Sequence, residues 1–201
     1  KNFKNEKGKL RSRPQNLSFF FTEGITWSTS AGEKPSFRLS SDIFGFESSG
    51  SKFFVNGPLY SLEHFLGFFN SKVTKYIIEV FAPGIGFSEG SIKALPFLQI
   101  PNINLGIIKS KGINSIKISK TDWDSREASW DFMQSPLVNE GNTLKQAYQN
   151  WQNSATQDFF QLHANEEELN RIFIDIYGLQ DELTAEVKLK DITILQEEIN
   201  G

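Results

Sequence analysis

The strongest hydrophobic pattern in the chain is helical. Leu62, Phe65, Leu66, Phe69, Val73, Tyr76, Ile77 and Val80 recur every three or four residues, which lines one face of an α-helix. Ser61 suits the N-cap, Glu63 the first turn and Ala82-Pro83-Gly84 the stop, so one helix of about 20 residues, roughly 30 Å long, is expected. Ahead of it, short runs rich in Phe, Ile, Val and Thr have the character of strands. Four are expected, at residues 18–22, 25–28, 36–40 and 52–55, with Gly24, residues 31–35 and residues 48–51 as turns. In the third, Phe37 and Leu39 point to one side and Arg38 to the other.

Past the helix, Gly84-Ile85-Gly86 and Gly90 do not make a dinucleotide-binding fingerprint. Glu89 holds the sixth position and a helix, not a strand, precedes it. Residues 91–96 predict a helical turn ending at Pro96, residues 97–100 a strand stopped by Pro101, and residues 105–110 and 113–119 a hairpin about Lys111-Gly112. The helical period then returns. Leu144, Tyr148, Trp151, Ala155, Phe159 and Leu162 form a near-heptad seam in a helix over 142–162. Asn165 and Glu168 resemble a capping box opening another helix, striped by Leu169, Ile172, Phe173, Ile176 and Tyr177 and closed by Gly178. The two together predict a helical hairpin. Residues 192–195 leave an apolar stretch in a charged tail, suited to pairing with something outside the chain.

The fold class expected is therefore α+β. A mixed β-sheet or barrel-like domain built around one long helix occupies residues 1–120, and a mainly α-helical, acidic segment with its tail occupies residues 121–201. At 201 residues the chain can bury a sizeable core. It has no cysteine, which excludes disulfides and thiolate metal sites. His64 and His163 are too few and too separated for a zinc site, and His64 sits beside the apolar face, where packing is its role. No run is long enough for a transmembrane helix, and the N-terminus has neither an apolar signal region nor an initiator Met. The reading is an excised piece of a longer cytoplasmic protein.

Charge changes this picture. Residues 1–120 hold 16 Lys and Arg against 8 Asp and Glu, whereas residues 121–201 hold 5 against 16. That asymmetry is consistent with a polyanion-binding face joined to an acidic segment, and equally with two solvated surfaces of opposite sign. The basic arm at residues 1–16 is open to the same two readings, phosphate contacts or a solvated connector. Catalytic constellations are missing: there is no nucleophile elbow, no P-loop and no metal-ligand spacing of His or Cys. Asp122, Asp124, Glu127 and Asp131 are the one group that a cation or acid–base pair could use, but their spacing is not that of an EF-hand loop, and Trp123 and Trp130 beside them suit an interface or a capped turn.

Two stretches carry a resemblance. Tyr60-Ser61-Leu62-Glu63-His64-Phe65-Leu66-Gly67-Phe68-Phe69-Asn70-Ser71-Lys72, followed by Phe87-Ser88-Glu89-Gly90-Ser91-Ile92-Lys93-Ala94-Leu95-Pro96, resembles target-recognition domains of type I restriction specificity subunits and of fused restriction–modification enzymes. Those domains share a leucine-rich helix ending in Asn-Ser, then Gly-Asp-Ile, then Leu-Pro; Ser91 stands where Asp is usual. Arg11-Ser12-Arg13-Pro14-Gln15-Asn16, Glu23-Gly24-Ile25-Thr26-Trp27-Ser28, Asp122-Trp123-Asp124-Ser125 with Ser129-Trp130-Asp131-Phe132, and residues 166–179, in this order, are similar to the C-terminal part of BREX-type, phage-growth-limitation adenine-specific DNA methyltransferases. The resemblance covers nearly the whole chain. It implies a parent enzyme that transfers a methyl group from S-adenosylmethionine to adenine N6.

The Asn-Pro-Pro-Tyr signature of that transfer does not occur in this chain, nor does a glycine-rich cofactor motif on a strand. The expectation is thus a DNA target-recognition fragment without catalytic, cofactor-binding or metal residues of its own, S-adenosylmethionine belonging to a separate catalytic domain. Its partners would be double-stranded DNA, that methyltransferase domain and other defence-system proteins, with no membrane. Lys9, Arg11, Arg13, Lys34, Arg38 and Lys52 are the candidate DNA contacts, chosen for charge and position; the resemblance does not single them out. The alternative is a protein–protein interaction scaffold. A third reading, an independent hydrolase, lacks an acid–base site.

Overall fold

The computed structural model describes residues 8, 16–29, 35–47, 49–81, 87–138 and 141–194. Three strands, β1 (Gly24–Ser28), β2 (Phe37–Ser40) and β3 (Gly50–Phe53), form one antiparallel sheet in the order β2-β1-β3. Ile25 pairs with Leu39 and Phe53, and Trp27 with Phe37 and Ser51. Because cross-strand partners share a face, these residues make the inner side of the sheet, where Ile25, Trp27 and Phe37 are buried. The α+β class holds; among the described residues the sheet does not close into a barrel. The strand expected at 18–22 is a single 3-10 turn, Leu17–Phe19, with Asn16 and Phe21 at positive φ. Residues 97–100, expected as a strand, belong to no strand or helix.

The long helix expected from residue 61 is two helices, α1 (Leu62–Asn70) and α2 (Lys72–Phe81). Ser71 divides them, with an extended backbone at φ −68° and ψ 159°. Its hydroxyl donates to the Phe68 carbonyl at 2.7 Å and accepts from the Thr74 N–H at 3.3 Å, closing one helix and capping the next. Asn170 accepts from the first N–H of α2, that of Lys72, at 2.9 Å. Asn70, one residue earlier, accepts from the Phe37 N–H at 3.2 Å and donates to its carbonyl at 3.0 Å. A side-chain amide thus occupies the edge of β2 that another strand would take. Both members of the Asn-Ser pair therefore act on the fold, the Asn by closing a sheet edge and the Ser by turning a helix.

A short helix, α3 (Glu89–Lys93), leads through Leu95-Pro96 into α4 (Asn102–Asp124). The hairpin expected at 105–119 is this 23-residue helix. Its Ile, Lys and Ser positions alternate over short windows and mimic a strand. Ile108, Gly112 and Ile118 are nevertheless buried on one helical face, Gly112 against α1 and Ile118 among Phe159 and Leu162. The last long helix, α5 (Leu144–Tyr177), runs 34 residues without the break expected near Asn165. Gly178, at φ 65°, ends it in the left-handed conformation that glycine adopts at no steric cost.

Asn165 is fully buried, not a cap. It donates to Asn114 at 2.6 Å and to Ser115 at 3.4 Å, and accepts from Gln161 at 3.0 Å. Since Asn114 meets Asn165 while Ile118 clusters with Leu162 and Phe159, α4 and α5 run antiparallel. The helical hairpin of this chain is therefore α4 with α5.

The layers stack as sheet, then α1, then the α4–α5 pair. Phe37 stacks on Phe69 with ring centroids 4.9 Å apart, and Phe53 packs on Phe65 at 4.9 Å. On the far side of α1, Gly67 lies against Ile108, Leu169 and Phe173. One core joins Ile25, Trp27, Phe68, Phe69 and Ile108 to Leu169, Ile172 and Phe173. Residue 120, where the charge balance changes sign, lies inside α4. The tail folds back on α5, where Glu167 accepts from the Val187 N–H at 3.0 Å and His163 donates to the Val187 carbonyl at 2.8 Å. Ile192 and Ile194, expected to await an outside partner, are buried against Ile118, Phe159 and Leu162.

Candidate nucleic-acid interface

Of the six candidate DNA contacts, Lys9, Arg11, Arg13 and Lys34 lie outside the described residues. Arg38 and Lys52 both face Thr26 across the ladder, so the three side chains form one rank on the outer side of the sheet. The alternation read for residues 37–39 is that of the structure, with Arg38 exposed and Phe37 buried.

Lys52 behaves differently from Arg38. It is only 9% exposed, and its ammonium donates to the carbonyls of Ser41 at 3.0 Å and Phe44 at 3.4 Å, 6.0 Å from the centre of the Phe54 ring. Burial lowers its pKa from the ordinary value, against the opposing pull of Asp42 and Glu23. The side chain therefore holds the 41–47 loop over the sheet. Thr26 donates to the Ser51 carbonyl at 3.0 Å.

Beside this rank lies an open depression of about 610 Å³, lined by Phe20, Thr26, Arg38, Phe44, Phe46 and Glu47. Its surroundings are aromatic. Phe20 packs on Phe46 with centroids 4.9 Å apart, Phe46 on Phe54 at 5.5 Å, and Phe44 on Trp130 at 6.4 Å. Trp130 is 90% exposed, and Phe21 and Phe44 are exposed as well. Glu23 and Asp42 act on the Lys52 ammonium and Glu47 lies beside Arg38, so among the described residues this face carries no excess of positive charge.

The carboxylates after residue 121 are engaged locally. Asp122 pairs with Arg126 at 3.2 Å, and Lys120 bridges Asp124 at 2.8 Å and Asp131 at 2.6 Å. Ser129 donates to Asp124 at 2.8 Å. The Lys120 bond is the main cause that keeps the Asp124 carboxyl below the ordinary value, and the same two aspartates raise Lys120. These contacts close the C-terminus of α4. Among the described residues no group of three His, Cys, Asp or Glu could hold a metal ion, and no helix is long and apolar enough to cross a membrane. His64 accepts from the Ser61 N–H at 3.1 Å and donates to the Leu105 carbonyl at 3.1 Å, tying α1 to α4.

The basic surface that sequence reasoning missed is α4. Lys109 and Lys117 are exposed on it, and among the described residues no ion pair or hydrogen bond occupies either ammonium. No Asp or Glu occurs between Gly90 and Thr121. That gap is visible in the sequence, but a hairpin places the lysines on alternating faces, whereas a helix gathers them.

The remaining sequence motifs are structural. Tyr177 donates to the Pro96 carbonyl at 2.5 Å and accepts from the Leu98 N–H at 3.2 Å, which anchors the Leu-Pro turn on α5. The described residues thus form an α+β module with two contrasting outer surfaces, one aromatic and near-neutral, the other helical and basic. No family model matches the chain. Over 199 residues, 96% of its length, it is 37% identical to the adenine-specific methyltransferase PglX of Lacticaseibacillus casei (strain Zhang). Over 192 residues, 94% of its length, it is 29% identical to the adenine-specific methyltransferase BrxX of Escherichia coli O9:H4 (strain HS). In each case the chain spans 16% of the length of the curated relative it matches.

Proposed function

We propose that this chain is the target-recognition part of a site-specific adenine-N6 DNA methyltransferase of a phage-defence or restriction–modification system. It positions duplex DNA for a catalytic domain carried elsewhere in the polypeptide, where S-adenosylmethionine is bound. The observation that carries the reading is the form of the similarity. It runs through almost the whole chain yet covers 16% of each adenine-specific methyltransferase, in a segment without the Asn-Pro-Pro-Tyr signature. An enzyme that extrudes its target base needs a further surface to hold the duplex and choose the site. A gel-shift titration tests this, comparing a duplex that bears the parent enzyme's methylation site with a scrambled duplex. Preference for the site, weakening as salt rises, supports the reading; equal binding to both refutes target recognition.

A second reading, a scaffold that docks other protein domains, is favoured by the exposed rings of Phe21, Phe44 and Trp130. Aromatic side chains on an accessible face are the usual anchors of protein interfaces. Titration with the separately produced catalytic domain, read by tryptophan emission, tests it. Loss of the response in Trp130→Ala supports docking through this face, and no response in the unaltered chain opposes it.

A further inference from the structure

We propose that the solvent face of α4 is the surface that meets the DNA duplex, with Lys109 and Lys117 contacting phosphates. This rests on the target-recognition reading and names the face that performs it. The first ground is charge. α4 carries Lys109, Lys111, Lys117 and Lys120, and the nearest carboxylates in sequence are Glu89 before it and Asp122 in its last turn. Lys120 is held by Asp124 and Asp131, and Lys111 is half-buried. Lys109 and Lys117 remain exposed. Among the described residues the outer sheet face offers no such surplus, since Glu23, Asp42 and Glu47 offset Arg38 and Lys52 there.

The second ground is shape. Eight residues of helix separate Lys109 from Lys117, about 12 Å along the axis, close to the width of the major groove between its two phosphate ridges. Between and beside them stand Gly106 and Ser110, both exposed and small, and a Cβ added at Gly106 would meet nothing within 4 Å. The backbone can therefore come close to a partner. Ile103, Ile107 and Ile113 are exposed on the same helix and offer methyl groups to sugars and to thymine.

The third ground separates DNA from an acidic protein segment as the occupant. Protein interfaces concentrate aromatic residues and shed lysine; on α4 lysines interrupt the isoleucines, and the first aromatic residue is Trp123. The aromatic outer sheet face has the opposite character.

The test measures duplex binding by the full chain with fluorescence anisotropy over a salt series, for the unaltered protein, Lys109→Ala, Lys117→Ala, the double variant and Arg38→Ala. Both lysines are exposed and alanine favours helix, so a circular dichroism spectrum should match the original. At about 0.9 per phosphate contact, the double variant should flatten the slope of log K against log salt by about 1.8, which is roughly a 60-fold loss of affinity at 0.1 M salt. If the unaltered chain binds and the double variant keeps its slope, α4 is not the face, although the recognition reading stands. A flattened slope in Arg38→Ala with an unchanged double variant assigns the duplex to the outer sheet and overturns the proposal. If the unaltered chain binds no duplex but binds an acidic peptide through the two lysines, both readings fall.

Discussion

Two glycines on α4 offer a comparison that isolates one helix contact. Replacing either by alanine brings the same intrinsic gain, about 0.8–1 kcal/mol, because glycine is the poorer helix former. At Gly106 nothing lies within 4 Å of the added Cβ, so Gly106→Ala should stabilise by about that amount. At Gly112, which is buried, the Cβ would stand 2.8 Å from Glu63 Cβ and 3.1 Å from the Glu63 carbonyl oxygen. Both are backbone-proximal atoms of α1 and cannot swing away, so α1 and α4 must part. Overpacking of this kind costs about 1–3 kcal/mol. Subtracting the common propensity gain leaves Gly112→Ala neutral to about 2 kcal/mol destabilised, and the two variants separated by about 1–3 kcal/mol. Urea unfolding followed at 222 nm measures this; in a chain of this size the separation corresponds to about 2–12 °C in Tm. If Gly112→Ala is as stabilising as Gly106→Ala, the two helices do not cross at Glu63, and the stacking of α4 behind α1 is wrong.

Two further predictions probe the polar groups buried around α5. Burial raises the Glu166 carboxyl above its ordinary value of 4.5, with Lys75 and His163 pulling the other way and Asp191 adding to the rise. A carboxyl whose folded pKa exceeds its unfolded one favours the fold when protonated, so its penalty is full at neutral pH and fades as pH falls through the raised value. Glu166→Gln should therefore unfold at higher urea than the original at pH 7, with the advantage vanishing near pH 4; an advantage that persists unchanged at low pH contradicts the assignment. Asn165→Ala removes the fully buried amide that binds the half-buried Asn114 and Ser115 in the α4–α5 seam and should cost about 1–3 kcal/mol. A double-mutant cycle with Asn114→Ala should give a coupling of about 0.5 kcal/mol or more, and strict additivity would mean that the two amides do not meet.

What the sequence makes legible is what short-range physics decides. The stripe from Leu62 to Val80 does form helix, Gly178 does end one, and residues 25–28 and 37–40 do pair, because amphipathic period and turn chemistry act within a few residues. The differences come from partners far away in sequence. Ser71 reads as one more helical residue, yet its hydroxyl caps α2 while the next N–H, that of Lys72, is bound by Asn170 from 98 residues further along the chain. Asn165 has the composition of a cap and is a buried link to a helix 51 residues earlier. In the 105–119 run, Ile and Ser at alternate positions fit a strand, and only the surrounding layers of α1 and α5 make helix the better burial. At the candidate interface, the outward direction of Arg38 is legible from alternation; the burial of Lys52 is not, since the 41–47 loop that covers it carries no local signal.

The charge step near residue 120 divides the sequence without dividing the core, and the pairing of α4 with α5 explains what becomes of it. α5 carries Asp158, Glu166, Glu167, Glu168 and Asp175 against Lys145 and Arg171, while α4 shows no acid before its last turn. Packed helices lie about 8–10 Å apart, which is no more than a Debye length of about 10 Å at 0.1 M salt. The opposite signs are therefore felt together across one helix pair, as a polarised slab and not as two independent surfaces. Counting the helix pair alone, a polyanion approaching α5 meets an excess of carboxylates, and one approaching α4 meets Lys109 and Lys117 with the acidic helix behind them. The acidic half then has an electrostatic role in the recognition reading, orienting the duplex onto one face. Such orientation must fade as the Debye length shrinks below the helix separation, so that raising salt removes selectivity between faces as well as affinity.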